Sequence, residues 1–230
     1  MNVPEHLVVL TGAGMSAESG LSTFRDQNGL WDQYPIEEVA TPNAWNKDPE
    51  KVLHFYKMRM ENCLNAKPNM AHEIIFQLEK KYKVQIVTQN IDNLHERAGS
   101  SDVLHLHGEI MKSRSIGTGK TYPIKSNIYP KLGDLCPDGY QLRPDVVWFG
   151  EDVPNLYLGA EIIEKADILI IIGTSLQVYP AAGLVNYASE NCKIFIVDPN
   201  EVPKSNKWNH LKMNASDGLG IISQKLMIND

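Results

Sequence analysis

Residues Leu7 to Arg25 read LVVLTGAGMSAESGLSTFR, and the reading of this stretch decides the fold. Leu7-Val8-Val9-Leu10 is a short run with no polar residue, as expected of a parallel strand covered on both faces. Gly12-Ala13-Gly14 follows at once, and Ala17 stands where a dinucleotide fingerprint has its third small residue, giving G-x-G-x-x-A. Glycines in such a turn let the backbone approach a pyrophosphate, whose charge suits the amides at a helix N-terminus. Ser19-Gly20 should end that helix soon after it begins. Ser22 to Gly29 then reads as loop, with Phe24 and Arg25 inside it, and no second strand ends in a ribose-binding acid. The turn points to a dinucleotide, and the loop points away from hydride transfer.

The remaining chain alternates strands with helices, which implies an α/β fold with a mostly parallel sheet. Strands are expected at Val84–Val87, Val103–His107, Asp145–Phe149, Asp167–Ile172 and Lys193–Val197. Helices are expected at Glu50–Cys63, Met70–Tyr82, Leu156–Lys165, Pro180–Glu190 and Ser216–Met227, with a short turn at Asn93–Ala98 stopped by Gly99. Met111 to Pro144 is rich in Gly, Pro, Lys, Ser and Tyr, shows little periodicity, and reads as an insert. Five strands are followed by polar or glycine-rich segments: Thr11-Gly12, Gln89-Asn90, His107-Gly108, Gly173-Thr174-Ser175 and Asp198. Parallel strands bring such segments to one edge, where ligands of α/β sheets sit.

Composition narrows the function. The net charge of −6 argues against a nucleic-acid partner, which calls for a basic face. No apolar run approaches the roughly 20 residues of a membrane helix. Met1 to Leu10 has neither the basic start nor the length of a signal peptide. Cys63, Cys136 and Cys192 are scattered and odd in number, so a disulfide framework is not expected and a cytoplasmic protein is. His107, at a strand end beside Gly108, suits a general base at neutral pH. His105 and His107 are expected to point apart and not to share a metal ion. Cys136 has no companion cysteines for a four-ligand zinc site. Gly117-Thr118-Gly119-Lys120-Thr121 imitates a phosphate-binding loop, but Arg114 stands where the pattern needs glycine. Arg59 falls on the apolar stripe of its helix with Val52, Phe55, Tyr56 and Cys63, where a guanidinium calls for an anion.

Together GAGMSAESGLSTFR, Ala40-Thr41-Pro42, TQNIDNLHERAG, HLHG, RPDVVWFGE, GTSLQVYPAAG and the late Ala215-Ser216 resemble the sirtuins, NAD-dependent protein lysine deacylases. These pieces run in family order across nearly the whole chain. The resemblance implies a Rossmann-like NAD-binding domain over residues 1–25, 66–107 and 145–230. It also implies a small domain from two insertions, 26–65 and 108–144. The implied chemistry starts with attack of the acyl-lysine carbonyl oxygen on the ribose carbon that carries nicotinamide. His107 then deprotonates a ribose hydroxyl, which attacks the imidate carbon. The products are free lysine, nicotinamide and O-acyl-ADP-ribose.

By motif match, His107 and Asn90 are the implied catalytic residues. Gly12, Ala13, Gly14, Ala17, Phe24, Arg25, Trp31, Gln89, Asn90, Ile91, Asp92, Gly173, Thr174, Ser175, Asp198 and Ala215 are the implied NAD-binding residues. Phe149, Gly150, Glu151 and Val178 would line a groove in which a substrate strand pairs by backbone hydrogen bonds. The chain departs from the family in lacking the four-cysteine zinc site, in carrying Asp198 where an asparagine is usual, and in its insert MKSRSIGTGKTYPIKSN. No zinc is therefore expected. A subgroup that prefers malonyl, succinyl or glutaryl lysine carries Tyr-x-x-Arg and a small residue in the acyl pocket. Tyr56, Arg59 and Ala40 match that pattern, so the substrate would supply the anion for Arg59. A monomer acting on acylated proteins is expected. The competing classes are a dehydrogenase, a non-catalytic NAD or ADP-ribose sensor, and a mono-ADP-ribosyltransferase; release of free nicotinamide with loss of the acyl group separates them.

Overall fold

The computed structural model describes residues 4–23, 33–125, 129–176 and 179–228. Its larger sheet has six strands: β1 (His6–Thr11), β2 (Lys83–Thr88), β3 (Val103–His105), β7 (Ile168–Ile172), β8 (Lys193–Val197) and β9 (Trp208–Leu211). They lie in the order β3-β2-β1-β7-β8-β9, and each neighbouring pair is parallel. In order of appearance this is 3-2-1-4-5-6, the doubly wound arrangement, and the order reverses between β1 and β7.

The apolar strands are explained by burial on both sides. In β1, Leu7 and Val9 face one layer while Val8 and Leu10 face the other. In β7, Ile168, Ile170 and Ile172 join the first layer, and Leu169 and Ile171 the second. The first layer is closed by α5 (Met70–Leu78) and α8 (Ala215–Ile228), through Ala71, Ile75, Leu78, Leu219 and Ile222. The second is closed by α7 (Leu156–Glu164) and a 3₁₀ helix at Ala181–Tyr187, through Ala160, Ile163 and Leu184. Each fully buried Leu, Ile or Val contributes roughly 1.5–3 kcal/mol.

Around this core stand α1 (Gly14–Ala17), α2 (Ile36–Val39), α3 (Pro42–Lys47), α4 (Pro49–Asn65) and α6 (Leu94–Ala98). Helix α4 starts at Pro49, with the Asp48 carboxylate accepting from Lys51 N at 3.0 Å. Gly99, at φ +108°, caps α6 in the left-handed conformation, as its position predicts. No described helix is long and apolar enough to cross a membrane.

A second sheet, antiparallel and three-stranded, is built from β4 (Gly108–Ser115), β5 (Thr121–Pro123) and β6 (Leu142–Val146), in the order β5-β4-β6. The sequence reading missed β4 and β5. The inward positions near the end of β4 are Ser113 and Ser115, so polar residues break the expected apolar alternation. Their hydroxyls are bonded locally: Ser113 Oγ donates to the Tyr122 carbonyl at 3.3 Å, and Ser115 Oγ accepts from Thr118 N at 3.2 Å. Cys136 Sγ donates to Ser115 Oγ at 3.4 Å, and Arg114 pairs with Asp145 at 2.7 Å. Among the described residues, no group of three or more His, Cys, Asp or Glu is placed to hold a metal ion.

Three further expectations are corrected. The strand placed at Asp145–Phe149 runs over Leu142–Val146 and belongs to the small sheet. Beyond it the chain peels away, with Val147 N donating to the His107 carbonyl and Phe149 N to the Ala40 carbonyl. The strand placed at Val103–His107 stops at His105. The helix placed at Pro180–Glu190 is the shorter 3₁₀ segment, and edge strand β9 was not foreseen. A third apolar cluster joins Ala40, Phe55 and Tyr56 to Ile91, Ile110 and Trp148, so α2–α4 and the small sheet, together called the small unit, pack directly on the turn after β2.

Two buried histidines make this fold sensitive to acid. Burial lowers the His72 pKa to about 4 and holds that of His95 well below the ordinary value, and their rings lie 4.8 Å apart. Both are neutral in the folded chain, whereas the unfolded chain takes up protons near pH 6.5. Their contribution is complete above pH 6.5 and is lost as pH falls toward the folded values. From pH 7 to pH 5 the His72 share amounts to about 2 kcal/mol. Urea unfolding at both pH values should show that His72→Asn reduces the acid-induced loss by about this amount, and an unchanged loss would reject the assignment.

Candidate functional site

The crevice between β1 and β7 is made by two backbone turns in contact. Gly14 N donates to the Gly173 carbonyl at 2.9 Å, and Gly12 N to the Ile172 carbonyl at 2.9 Å. A Cβ on Gly14 would come within 2.7 Å of Gly173 Cα, and one on Gly173, at φ +63°, within 2.1 Å of Met15 N. Neither position tolerates a side chain, so the fingerprint glycines are required by the meeting of the two turns. Helix α1 is a single turn, which limits its macrodipole and leaves the local amides as the means of holding an anion. Asn69, the N-cap of α5, ties this turn down by donating Nδ2 to the Met15 carbonyl at 2.9 Å.

A cavity of about 430 Å³ opens over these turns. Its walls include Gly12, Ala13, Gly14 and Ala17 after β1, Gln89, Asn90 and Ile91 after β2, and His107 beyond β3. Gly173, Thr174 and Ser175 after β7, Asp198 after β8 and Ala215 at the start of α8 complete that side. The small unit contributes Ala40, Tyr56 and Arg59, and the segment after β6 contributes Phe149, Gly150 and Glu151. The expected convergence of five strand ends is therefore present. Phe24, Arg25, Trp31 and Val178 lie outside the described residues.

One expected wall residue stands behind the wall. Asp92 is buried, accepts from Ser16 Oγ at 3.0 Å and from Leu94 N at 3.1 Å, and burial raises its pKa. It reaches the site through Ser16. Asn90 also turns toward the first loop: its Nδ2 donates to the Gly12 carbonyl at 2.9 Å and to Ser16 Oγ at 3.3 Å. Ser16 thus joins the first turn to the Gln89–Asp92 turn. The sequence reading passed over it, since a serine inside G-x-G-x-x-A looks like helix filler. Asn200 and Asn214 also line the cavity, and no motif singled them out.

His107 lines the cavity with one ring nitrogen engaged. Its Nδ1 lies 3.1 Å from the Gln89 carbonyl, which can only accept, so Nδ1 carries the proton and Nε2 is free. Burial lowers its pKa, partly offset by that carbonyl, so the ring is neutral at pH 7. The expectation that His105 and His107 point apart does not follow from their spacing, since residues two apart on a strand share a face. What separates them is their partners: His105 Nδ1 donates to the Asn90 carbonyl at 2.8 Å, and its Nε2 meets Glu96 Oε1 at 2.8 Å.

Tyr56, in the cavity wall, is buried, and burial pushes its phenol up to about 12, so it remains a hydroxyl donor. The Arg59 guanidinium carbon lies 5.9 Å from the Tyr56 ring centroid and 5.8 Å from that of Phe55. Glu151 lines the rim, but its oxygens accept from Arg143 Nη2 at 2.7 Å and Trp148 N at 2.8 Å. The Arg143 guanidinium in turn sits 3.9 Å from the Trp148 ring centroid. Glu151 therefore braces the turn that carries Phe149 and Gly150.

The residues fit a dinucleotide: a side-chain-free cradle, a long cavity along the strand ends, and polar side chains along its length. The Sir2 family model matches residues 12–180. A Bacteroides thetaiotaomicron protein named NAD-dependent protein deacylase is 49% identical, the match covering 97% of this chain and 98% of that one. The structure of a Sir2 homologue–NAD complex superposes with a TM-score of 0.86 at 41% identity, covering 97% of this chain and 90% of that one. A Sir2 structure with a deacetylated p53 peptide and 3′-O-acetyl-ADP-ribose superposes at 0.81 with 31% identity, covering 96% and 94%. On these matches the chain belongs to the Sir2 family.

Proposed function

We propose that this chain is an NAD-dependent protein lysine deacylase that removes acyl groups ending in a carboxylate faster than it removes acetyl. The observation that carries the reading is one cavity holding the glycine cradle, a neutral His107 and the Tyr56–Arg59 pair. When bound, NAD supplies a ribose carbon activated by nicotinamide as leaving group. The Gly12–Gly14 and Gly173–Ser175 turns hold its phosphates and adenosine half, with Asp198 and Ala215 beyond them. Gln89, Asn90 and Ile91 set the nicotinamide ribose. His107 takes a proton at Nε2, and its Nδ1 bond to the Gln89 carbonyl fixes the ring while it does so.

An acylated peptide lies along Phe149–Glu151 as an added strand, with its lysine entering beside His107. The acyl chain runs past Ala40, whose small side chain leaves room, to Tyr56 and Arg59. A guanidinium takes a carboxylate bidentately, and a phenol adds a further hydrogen bond. Three buried free cysteines suit a reducing compartment, and the reading includes action in the cytoplasm as a single chain.

Acetyl, malonyl and succinyl peptides incubated with NAD should each yield free lysine, nicotinamide and O-acyl-ADP-ribose by mass spectrometry. Folded His107→Ala should lose at least about a hundredfold in turnover. The rate should also fall as pH drops through the lowered His107 value, because the protonated ring cannot accept a proton. Near-normal turnover by folded His107→Ala would reject its role. A hydrogen bond to a charged group is worth roughly 1.5–3 kcal/mol. Arg59→Met should therefore cut kcat/KM for succinyl peptide by about 10- to 150-fold and spare acetyl peptide, with Tyr56→Phe weaker in the same direction. Equal losses on both peptides would mean that Arg59 supports the fold and does not read the acyl group.

A further inference from the structure

Four consecutive carbonyls, from the last residue of β2 through the turn after it, are each held by the stretch from His105 at the end of β3 to Ile110 in β4. Thr88 O accepts from Leu106 N at 2.8 Å, Gln89 O from His107 Nδ1 at 3.1 Å, Asn90 O from His105 Nδ1 at 2.8 Å, and Ile91 O from Ile110 N at 2.8 Å. The turn lining the cavity and the proposed base are thus fastened to each other. His105 is the one member whose side chain is also gripped from behind, by Glu96 Oε1 on α6 at 2.8 Å. Its own backbone is held too, since Asn155 Nδ2 donates to the His105 carbonyl at 2.8 Å.

We propose that His105, clamped as an imidazolium between the Glu96 carboxylate and the Asn90 carbonyl, is a positioning residue that fixes the Gln89–Ile91 turn relative to His107. The charge follows from the partners. A carbonyl and a carboxylate are both acceptors only, so the two contacts are hydrogen bonds together only when both ring nitrogens carry protons. His107, with a partner on Nδ1 alone, has the opposite state, and the two histidines of HLHG divide into a fixed cation and a neutral base.

The groups facing His105 are consistent with this. Burial opposes its charge, but Glu96, the Asn90 carbonyl and Glu109 on β4 outweigh burial and raise its pKa. Asp92 on the turn adds its field to the same side, and His95 on α6 is neutral. The imidazolium would then hold a carbonyl that a neutral ring could keep only by giving up Glu96. The inference rests on the deacylase reading, because the turn matters only where it sets the nicotinamide ribose.

The test uses the geometry of amide replacements. Asparagine carries its amide nitrogen at the same number of bonds from the backbone as Nδ1, and glutamine at that of Nε2. His105→Asn can keep the bond to the Asn90 carbonyl; His105→Gln can keep only Glu96. His105→Gln should lose on the order of tenfold or more in kcat, with KM for acyl peptide little changed, and His105→Asn should stay within about threefold of wild type. Independently of any variant's folding, ¹⁵N-histidine NMR of the wild type at pH 6.5 should show both His105 ring nitrogens protonated and only one in His107. Glu96→Gln, at a half-exposed position, should return His105 to a single ring proton. Equal losses for the Asn and Gln variants, or a neutral His105 in the wild type at pH 6.5, would overturn the proposal. Failure of the wild type to release nicotinamide from NAD and acyl peptide would instead overturn the deacylase reading.

Discussion

The structure depends on the approach of two backbones where the strand order reverses. Gly12–Gly14 and Gly173 meet closely enough that a single methyl group at Gly14 or Gly173 would collide with main-chain atoms. That contact fixes the loop after β1 against the loop after β7, and it leaves a face without side chains at the base of the crevice. An extended anion needs such a face, because amides can reach it and Cβ atoms cannot intervene. The apolar layers on either side hold β1 and β7 in register, so the cradle inherits the rigidity of the core.

A second constraint is layered on the first. The turn after β2 is tied forward to the glycine loop by Asn90 and Ser16, and backward to the segment around His107 by its own carbonyls. Asp92, buried behind Ser16, completes the forward link. The residues that would touch the ribose are therefore held by residues that do not. A site of this kind tolerates little change in its supporting shell, because loss of one link frees a buried polar group as well as a contact.

The sequence made legible those parts where chemistry and backbone geometry demand one residue type. Gly12, Gly14 and Gly173 are visible because no side chain fits there. His107 is visible because a titratable ring follows a strand end. The all-apolar β1 and β7 declare burial on two faces. The small sheet was illegible because Ser113 and Ser115 occupy its inward positions and satisfy their hydroxyls locally, which erases the alternation that marks a strand. Ser16 and Glu96 carry no sequence signal, and His105 suggests only a metal role that is set aside, because their significance lies in their spatial partners: Ser16 bonds residues more than seventy positions away.

The small unit is bound to the site by packing as well as by sequence order. Ala40, Phe55 and Tyr56 share one apolar cluster with Ile91 and Trp148, so the Tyr56 wall of the cavity and the turn after β2 rest on the same side chains. The Ala40 carbonyl also takes the Phe149 amide, which joins it to the segment after β6. Displacing α4 would therefore disturb the turn after β2, and the reverse. Under the proposed function, an acyl chain seated at Tyr56 and Arg59 would act through this coupling on the reacting end of the cavity, converting binding of the acyl terminus into orientation where the bond changes. The proposed carboxylate-reading pair would then affect turnover as well as affinity.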